Sequence, residues 1–183
     1  MYLNNYQHLK NKETYLLFFL FLFSFLIRIP VIFIFGDTRL DNEWGIIVNN
    51  LTDYGKFSLV NFGDFFVPSL FMPPLYAFYL YFFKIFHFNN EIYIQVVLFS
   101  QIILSSFSVV IFYNINKLFF SNKICILGTL IFSLFPLHIY ACAQISSIIL
   151  QSFLMITFFY FFLKTMKENN FYNICFLSLA SGL

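Results

Sequence analysis

Charge is scarce in this sequence. Of its 183 residues 10% are Asp, Glu, Lys or Arg and 61% are hydrophobic, whereas a soluble domain carries about 25% charge. One charge in ten residues cannot cover a globule in water, which argues for a chain built for a bilayer. Cysteine is equally sparse. Cys125, Cys142 and Cys175 show no C-x-x-C or Cys/His spacing, so neither a disulfide framework nor a zinc cluster is indicated, and they read as small buried thiols. No basic run accompanies the net charge of +2, which leaves no nucleic-acid partner. Phe is plentiful, at 31 residues. It rises together with Ile, Asn and Lys, a compositional bias that carries no functional weight.

Long polar stretches are missing too, with one exception. The stretch 36–73 holds five of the eight acidic residues, Asp37, Asp41, Glu43, Asp53 and Asp64, and opens with the run Asp37-Thr-Arg-Leu-Asp-Asn-Glu-Trp44. Apolar runs flank it. They lie at about 14–35, 70–87, 92–114, 124–140, 146–163 and 171–183. The expected fold is all-α, a polytopic transmembrane helical protein with a long first external loop carrying short interfacial helices. The last run has 13 residues where a span needs about 20, so an N-terminal piece of a longer protein, or a gene fragment, is expected.

The first run is too long for a signal peptide, whose apolar region is about 7–15 residues. Lys10 and Lys12 in the polar tail 1–13 put the N-terminus in the cytoplasm. The acidic loop 36–73 then faces the periplasm or cell exterior, and the chain is an integral protein of the cell inner (plasma) membrane. Strict alternation of the runs conflicts with the charges. It puts Lys117, Lys123, Lys164 and Lys167 outside, against the positive-inside tendency. Either one run is re-entrant or interfacial, or the bias fails.

Within the loop, 43–50 predicts an amphipathic helix lying on the membrane. Trp44, Ile47, Val48 and Leu51 face down, Asn49 and Asn50 face up, and Gly55 ends it. The aromatic stretch 57–71, broken by Gly63 and Pro68, predicts a loop on the membrane surface. Pro73-Pro74 opens the next helix, where proline's missing N–H costs nothing. Arg28, near the outer end of the first run, reads as an interfacial anchor, a support for the acidic loop or a contact for an anionic headgroup. With Ile29-Pro30 beside it, it is expected at a kink.

A carboxylate pair beside an apolar surface suits a reaction between a lipid-borne and an aqueous substrate. Asp41 is the candidate general base. Glu43, or Asp64 returning from later in the loop, is the candidate for orienting the acceptor or binding a divalent cation. No metal site is assigned beyond that option. The bland alternative is a solvated loop.

Arg28-Ile-Pro, Leu40-Asp-Asn-Glu-Trp44, Asn49-Asn-Leu-x-x-x-Gly-Lys-Phe-Ser58, Pro73-Pro-Leu-Tyr76 and Lys117-Leu-Phe-Phe120 occur in this order. Together they resemble the start of the GT-C type polytopic glycosyltransferases, relatives of the protein O-mannosyltransferases and lipid A aminoarabinose transferases (the glycosyltransferase 39/83-like and RgtA/B/C/D-like group). The resemblance implies an inverting transfer of a sugar from a polyprenyl-phosphate donor to a lipid, glycan or protein acceptor. It implies Asp41 and Glu43 as catalytic residues, and Arg28, Asp64, Tyr76, Gln144 and Gln151 as substrate-binding residues. Two departures stand out. Met72 replaces the basic residue often found before the proline pair, and Gln144 and Gln151 stand where relatives carry an acid. The resemblance covers 14–183 as the N-terminal part of such an enzyme, so this stretch alone is expected to be inactive. A transporter fragment using Arg28, Gln101, Gln144 and Gln151 as a polar path, and a non-catalytic membrane assembly subunit, are the rival readings.

Overall fold

A computed structural model describes residues 2–62, 65–69, 72–86, 88–168 and 170–182, without the side chains of 2–11, 61–62 and 181–182. The chain is mostly α-helical. Among the described residues three helices are long and apolar enough to cross a membrane: α1 (Tyr2–Phe35) over Lys12–Phe35, α4 (Asn90–Asn116) and α7 (Ile148–Lys167). Their 24, 27 and 20 residues rise about 36, 40 and 30 Å, against a hydrocarbon core of about 30 Å.

Helix α1 buries Leu20, Ser24, Arg28 and Ile32, one residue every four, which is one face of a helix. Its other faces carry exposed Phe18, Phe19, Leu22, Leu26 and Phe33. Because apolar residues surround it, periodicity alone does not mark the buried side. Helix α4 lies antiparallel against it. Phe21 and Phe107 meet at 4.9 Å between ring centroids, and Lys117 pairs with Glu13 at one end of the bundle. Ser105, Ser106 and Ser108 are buried along α4, small residues of the kind that let membrane helices approach closely. Helix α1 runs on through Pro30. Arg28 donates to the Ser24 carbonyl at 2.9 Å rather than to the Leu26 carbonyl that Pro30 leaves free.

The apolar run expected as a second span, 70–87, is different. Helix α3 (Pro74–Lys84) has 11 residues and rises about 16 Å, half a bilayer core. Its start joins the acidic loop, and its last residue, Lys84, lines the same pocket as Asp41. Both ends of α3 therefore lie at one end of the bundle, the loop end. Tyr76, Ala77 and Leu80 are its buried face, and α2 (Glu43–Tyr54) packs on it.

Helix α2 begins at Asn42, whose side chain accepts from the Gly45 N–H at 3.3 Å, and stops at Gly55 with φ 65°. That left-handed conformation carries little steric cost only for glycine. Trp44, Ile47 and Val48 are buried, but against protein: Trp44 meets Tyr76 edge to face at 4.9 Å. An interfacial helix lying on lipid is thus corrected to one seated on α3. Asn50, expected to face up, is buried and donates to the Ser58 carbonyl at 3.0 Å.

The expected loop 57–71 contains an antiparallel hairpin instead, β1 (Ser58–Phe62) with β2 (Phe65–Pro68). Val60 faces Val67 and Asn61 faces Phe66, with an irregularity between Ser58 and Val60. Two short β-branched and aromatic runs around Gly63-Asp64 are the hairpin signal in the sequence.

Helix α5 (Asn122–Ser133) and α6 (Pro136–Ala141) form a broken return path. Phe135 precedes Pro136 and is extended, at φ −64° and ψ 116°, because a residue before proline is pushed out of the helical region. Cys125 packs with Leu20 and Tyr113 near the Lys117 end, whereas Cys142 joins the loop-end core of Ile32, Trp44, Tyr76, Ile94 and Ile149. From that core α7 runs back along α4, and α8 (Phe171–Gly182) folds against α7.

Candidate functional site

Among the described residues three adjoining pockets lie at the loop end around residues 37–41. The first, about 340 Å³, is lined by Thr38, Arg39, Leu40, Asp41, Asn49, Lys84, Asn90, Tyr93 and Ile94. A shallower one, about 350 Å³, lies between Asp37, Thr38, Arg39, Asp41 and Asn42. The third, about 310 Å³, shares Asp37, Thr38 and Ile94 with its neighbours and runs down between α1 and α4 along Ile32, Phe33, Leu98 and Phe99. An apolar hollow of about 380 Å³ continues it through Gln95 and Phe99 to Phe83, Ile92 and Ile103. A polar chamber thus opens onto an apolar groove.

Two cations stand in the chamber, and neither was singled out by sequence. Lys84 donates to Asn90 Oδ1 at 3.3 Å, and its Nζ lies 5.0 Å from the centre of the Tyr93 ring, a cation–π distance. Arg39 is exposed. Among the described residues the Lys117–Glu13 contact is the ion pair within 4.0 Å, so neither chamber cation is paired with a described carboxylate. A spanning α3 would carry Lys84 to the far face, and the sequence places it there, as a marker of that helix's far end. The signals that could have found it were the shortness of the apolar run 74–84 and the lysines that strict alternation put outside.

Asp41 is exposed and lines both polar pockets. Its backbone is confined. A Cβ on Gly45 would come within 2.1 Å of the Leu40 carbonyl oxygen, so the absence of a side chain there lets the loop close down before α2. Glu43, exposed, takes the first position of α2, where a carboxylate favours the helix dipole. It lines none of the pockets described above. Asp64 lies outside the described residues.

The other expected substrate-binding residues sit elsewhere. Arg28 is 0% exposed, inside the bundle. It donates to Ser105 Oγ at 2.8 Å, to the Ser24 hydroxyl, and to His138 Nδ1 at 3.2 Å. It is neither at an interface nor in the chamber. Tyr76 is buried and donates to Gln101 Oε1 at 3.0 Å. Gln144 donates to the Phe35 carbonyl at 2.9 Å, and Gln151 is exposed on α7.

These contacts tie the chamber to the break between α6 and α7. Residues 142–147 are not helical, so their backbone groups need partners. Gln101 Nε2 donates to the carbonyls of Cys142 and Gln144 at 3.3 and 2.9 Å. Asp37 and Asn42 bind the same stretch from above. Among the described residues no group of three or more His, Cys, Asp or Glu side chains gathers as metal ligands. No family model, no curated protein and no solved structure matches this chain.

Proposed function

We propose that this chain is the donor-binding part of a membrane glycosyltransferase that moves a sugar from a polyprenyl-phosphate donor to a lipid, glycan or protein acceptor. The observation that supports it is the continuity of a chamber holding Asp41, Arg39 and Lys84 with the apolar groove between α1 and α4. An amphipathic donor fits both parts. Its polyprenyl chain follows the groove, and its phosphate meets Lys84 and Arg39. The acceptor hydroxyl attacks the anomeric carbon as its proton passes to Asp41. The bond from that carbon to the phosphate oxygen breaks, its electron pair leaves on the phosphate, and the anomeric configuration inverts. Asp41 is the base, the two cations stabilise the departing phosphate, and Glu43 steadies the helix that follows.

In this reading the loop end is the outer face of the plasma membrane. With α3 not crossing, Lys10, Lys12, Lys117, Lys123, Lys164 and Lys167 all fall at the opposite, cytoplasmic end, against Arg39, Lys56 and Lys84 outside. That is the positive-inside sense. A transport path is less well supported, because Arg28 and Gln101 already spend their hydrogen bonds on protein partners.

Thiol labelling tests both statements together. In a Cys175→Ser background, Lys56→Cys and Asn89→Cys are expected to react with an impermeant reagent from outside intact cells, and Lys123→Cys is not. Thr38→Cys, on the chamber wall, is expected to be protected by saturating polyprenyl-phosphate sugar. An unreactive Asn89→Cys would overturn the topology, and an unprotected Thr38→Cys would overturn the donor reading.

A further inference from the structure

We propose that Asp37 is a positioning residue, a clamp that holds the Asp41 segment against the break between α6 and α7. The proposal rests on the glycosyltransferase reading only for what the positioned group does. The clamp itself is a statement about geometry.

Asp37 Oδ2 accepts from the Ile145 N–H at 2.6 Å, and the Asp37 N–H donates to the Ala143 carbonyl at 2.9 Å. Five residues on, Asn42 Nδ2 donates to the Ile145 carbonyl at 3.2 Å. Both ends of the segment 37–42 are thus bound to the same short stretch, more than 100 residues away in sequence. Gln144, inside that stretch, reaches back to the Phe35 carbonyl at 2.9 Å. Three contacts between two non-helical segments, with a fourth to the last residue of α1, leave 38–41 as a short bridge with both piers fixed.

The contacts differ in strength. A carboxylate accepting from a backbone N–H is charge-assisted and shorter than a neutral bond, which makes Asp37 the main grip. Asn42 is divided between this contact and capping α2. Asp41 itself is exposed. Without the grip its carboxylate would wander with the loop, and a displacement of about 1 Å from reacting geometry costs about 10²-fold in rate. The sequence alone ranks Asp37 below Asp41, because Asp37 lies outside the motif order. It does not reveal that Asp37 is bound to a segment 108 positions later.

Asp37→Ala and Asp37→Asn separate this role from others. Asparagine keeps an oxygen at the same place to accept from Ile145, whereas alanine does not. Hydrogen exchange read by mass spectrometry on the natural gene product in nanodiscs is expected to speed up at 38–42 and at 143–146 in Asp37→Ala, with Asp37→Asn near the parent. In a transfer assay, Asp37→Ala is expected to lose about 10- to 100-fold in kcat with donor KM nearly unchanged, and Asp37→Asn to recover most of it. Unchanged exchange at 38–42 in Asp37→Ala overturns the clamp. So does an Asp37→Asn protein as slow as Asp41→Asn, which would make Asp37 a reacting group. Exchange decides the clamp whether or not the parent transfers sugar. Absent transfer by a parent with the expected exchange pattern would sink the glycosyltransferase reading alone.

Discussion

Asp41→Asn in the natural gene product is expected to slow sugar transfer by about 10²–10⁴-fold, the usual worth of a general base, with donor affinity little changed. The substitution keeps the shape of the side chain and one acceptor oxygen, and removes the charge that receives the proton. Asp41 is the acid that lines the chamber beside both cations, where a phosphate-linked sugar would present its anomeric carbon. Glu43→Gln is expected to cost far less, since Glu43 lies outside the chamber at the start of α2. The check is turnover of a polyprenyl-phosphate sugar in liposomes, with protein level and donor binding measured separately. If Asp41→Asn transfers sugar as fast as the parent, Asp41 is not the base.

Arg28→Ala is expected to act on stability rather than on donor binding, destabilising the folded chain by about 3–5 kcal/mol. Arg28 is fully buried and donates to Ser24, Ser105 and His138. With the guanidinium donating to His138 Nδ1, the ring proton belongs on Nε2, which finds no partner among the described residues. Removing the guanidinium leaves a cavity and takes a donor from Ser24, Ser105 and His138 inside the bundle. A total stability of about 5–15 kcal/mol leaves little margin for that loss. Arg28→Met fills most of the volume without a buried charge, so it is expected to cost less than Ala. Denaturant titration in detergent measures the midpoints. An unchanged midpoint in Arg28→Ala together with lost donor binding would return Arg28 to the binding role that the sequence suggested.

Much of the loop was legible because local chemistry decides it. Asn42 and Gly55 are end signals that work within a turn of α2, so that helix could be read from spacing. What spacing did not show is what the helix sits on, since Trp44, Ile47 and Val48 look the same against lipid as against Tyr76 and Leu80. The hairpin is harder to read, because glycine and proline at 63 and 68 mark a loop as readily as the limits of two short strands. Helix α3 reads as a short span because hydropathy registers apolar content, whereas crossing depends on length. The lysine conflict already pointed to one run that does not cross. The chamber could be read only in part. Asp41 came from motif order, but Lys84, Arg39 and the Asp37 clamp depend on contacts between segments far apart in sequence. For the same reason Arg28 appeared interfacial. Its partners Ser105 and His138 lie 77 and 110 positions away.

Photocrosslinking tests most directly the claim that a lipid-linked donor occupies the chamber and its groove. The probe is a polyprenyl-phosphate sugar carrying one diazirine on the sugar and, in a second preparation, one in the first isoprene units. It is applied to the chain in nanodiscs, and the adducts are mapped by mass spectrometry. The sugar probe is expected to label 38–41 and 84–94, and the isoprene probe Ile32, Phe33, Leu98 and Phe99. Both should be competed by unlabelled donor and weakened in an Arg39→Gln/Lys84→Gln double variant. Adducts confined to the exposed faces of α7 and α8, or insensitive to competition, would contradict the account.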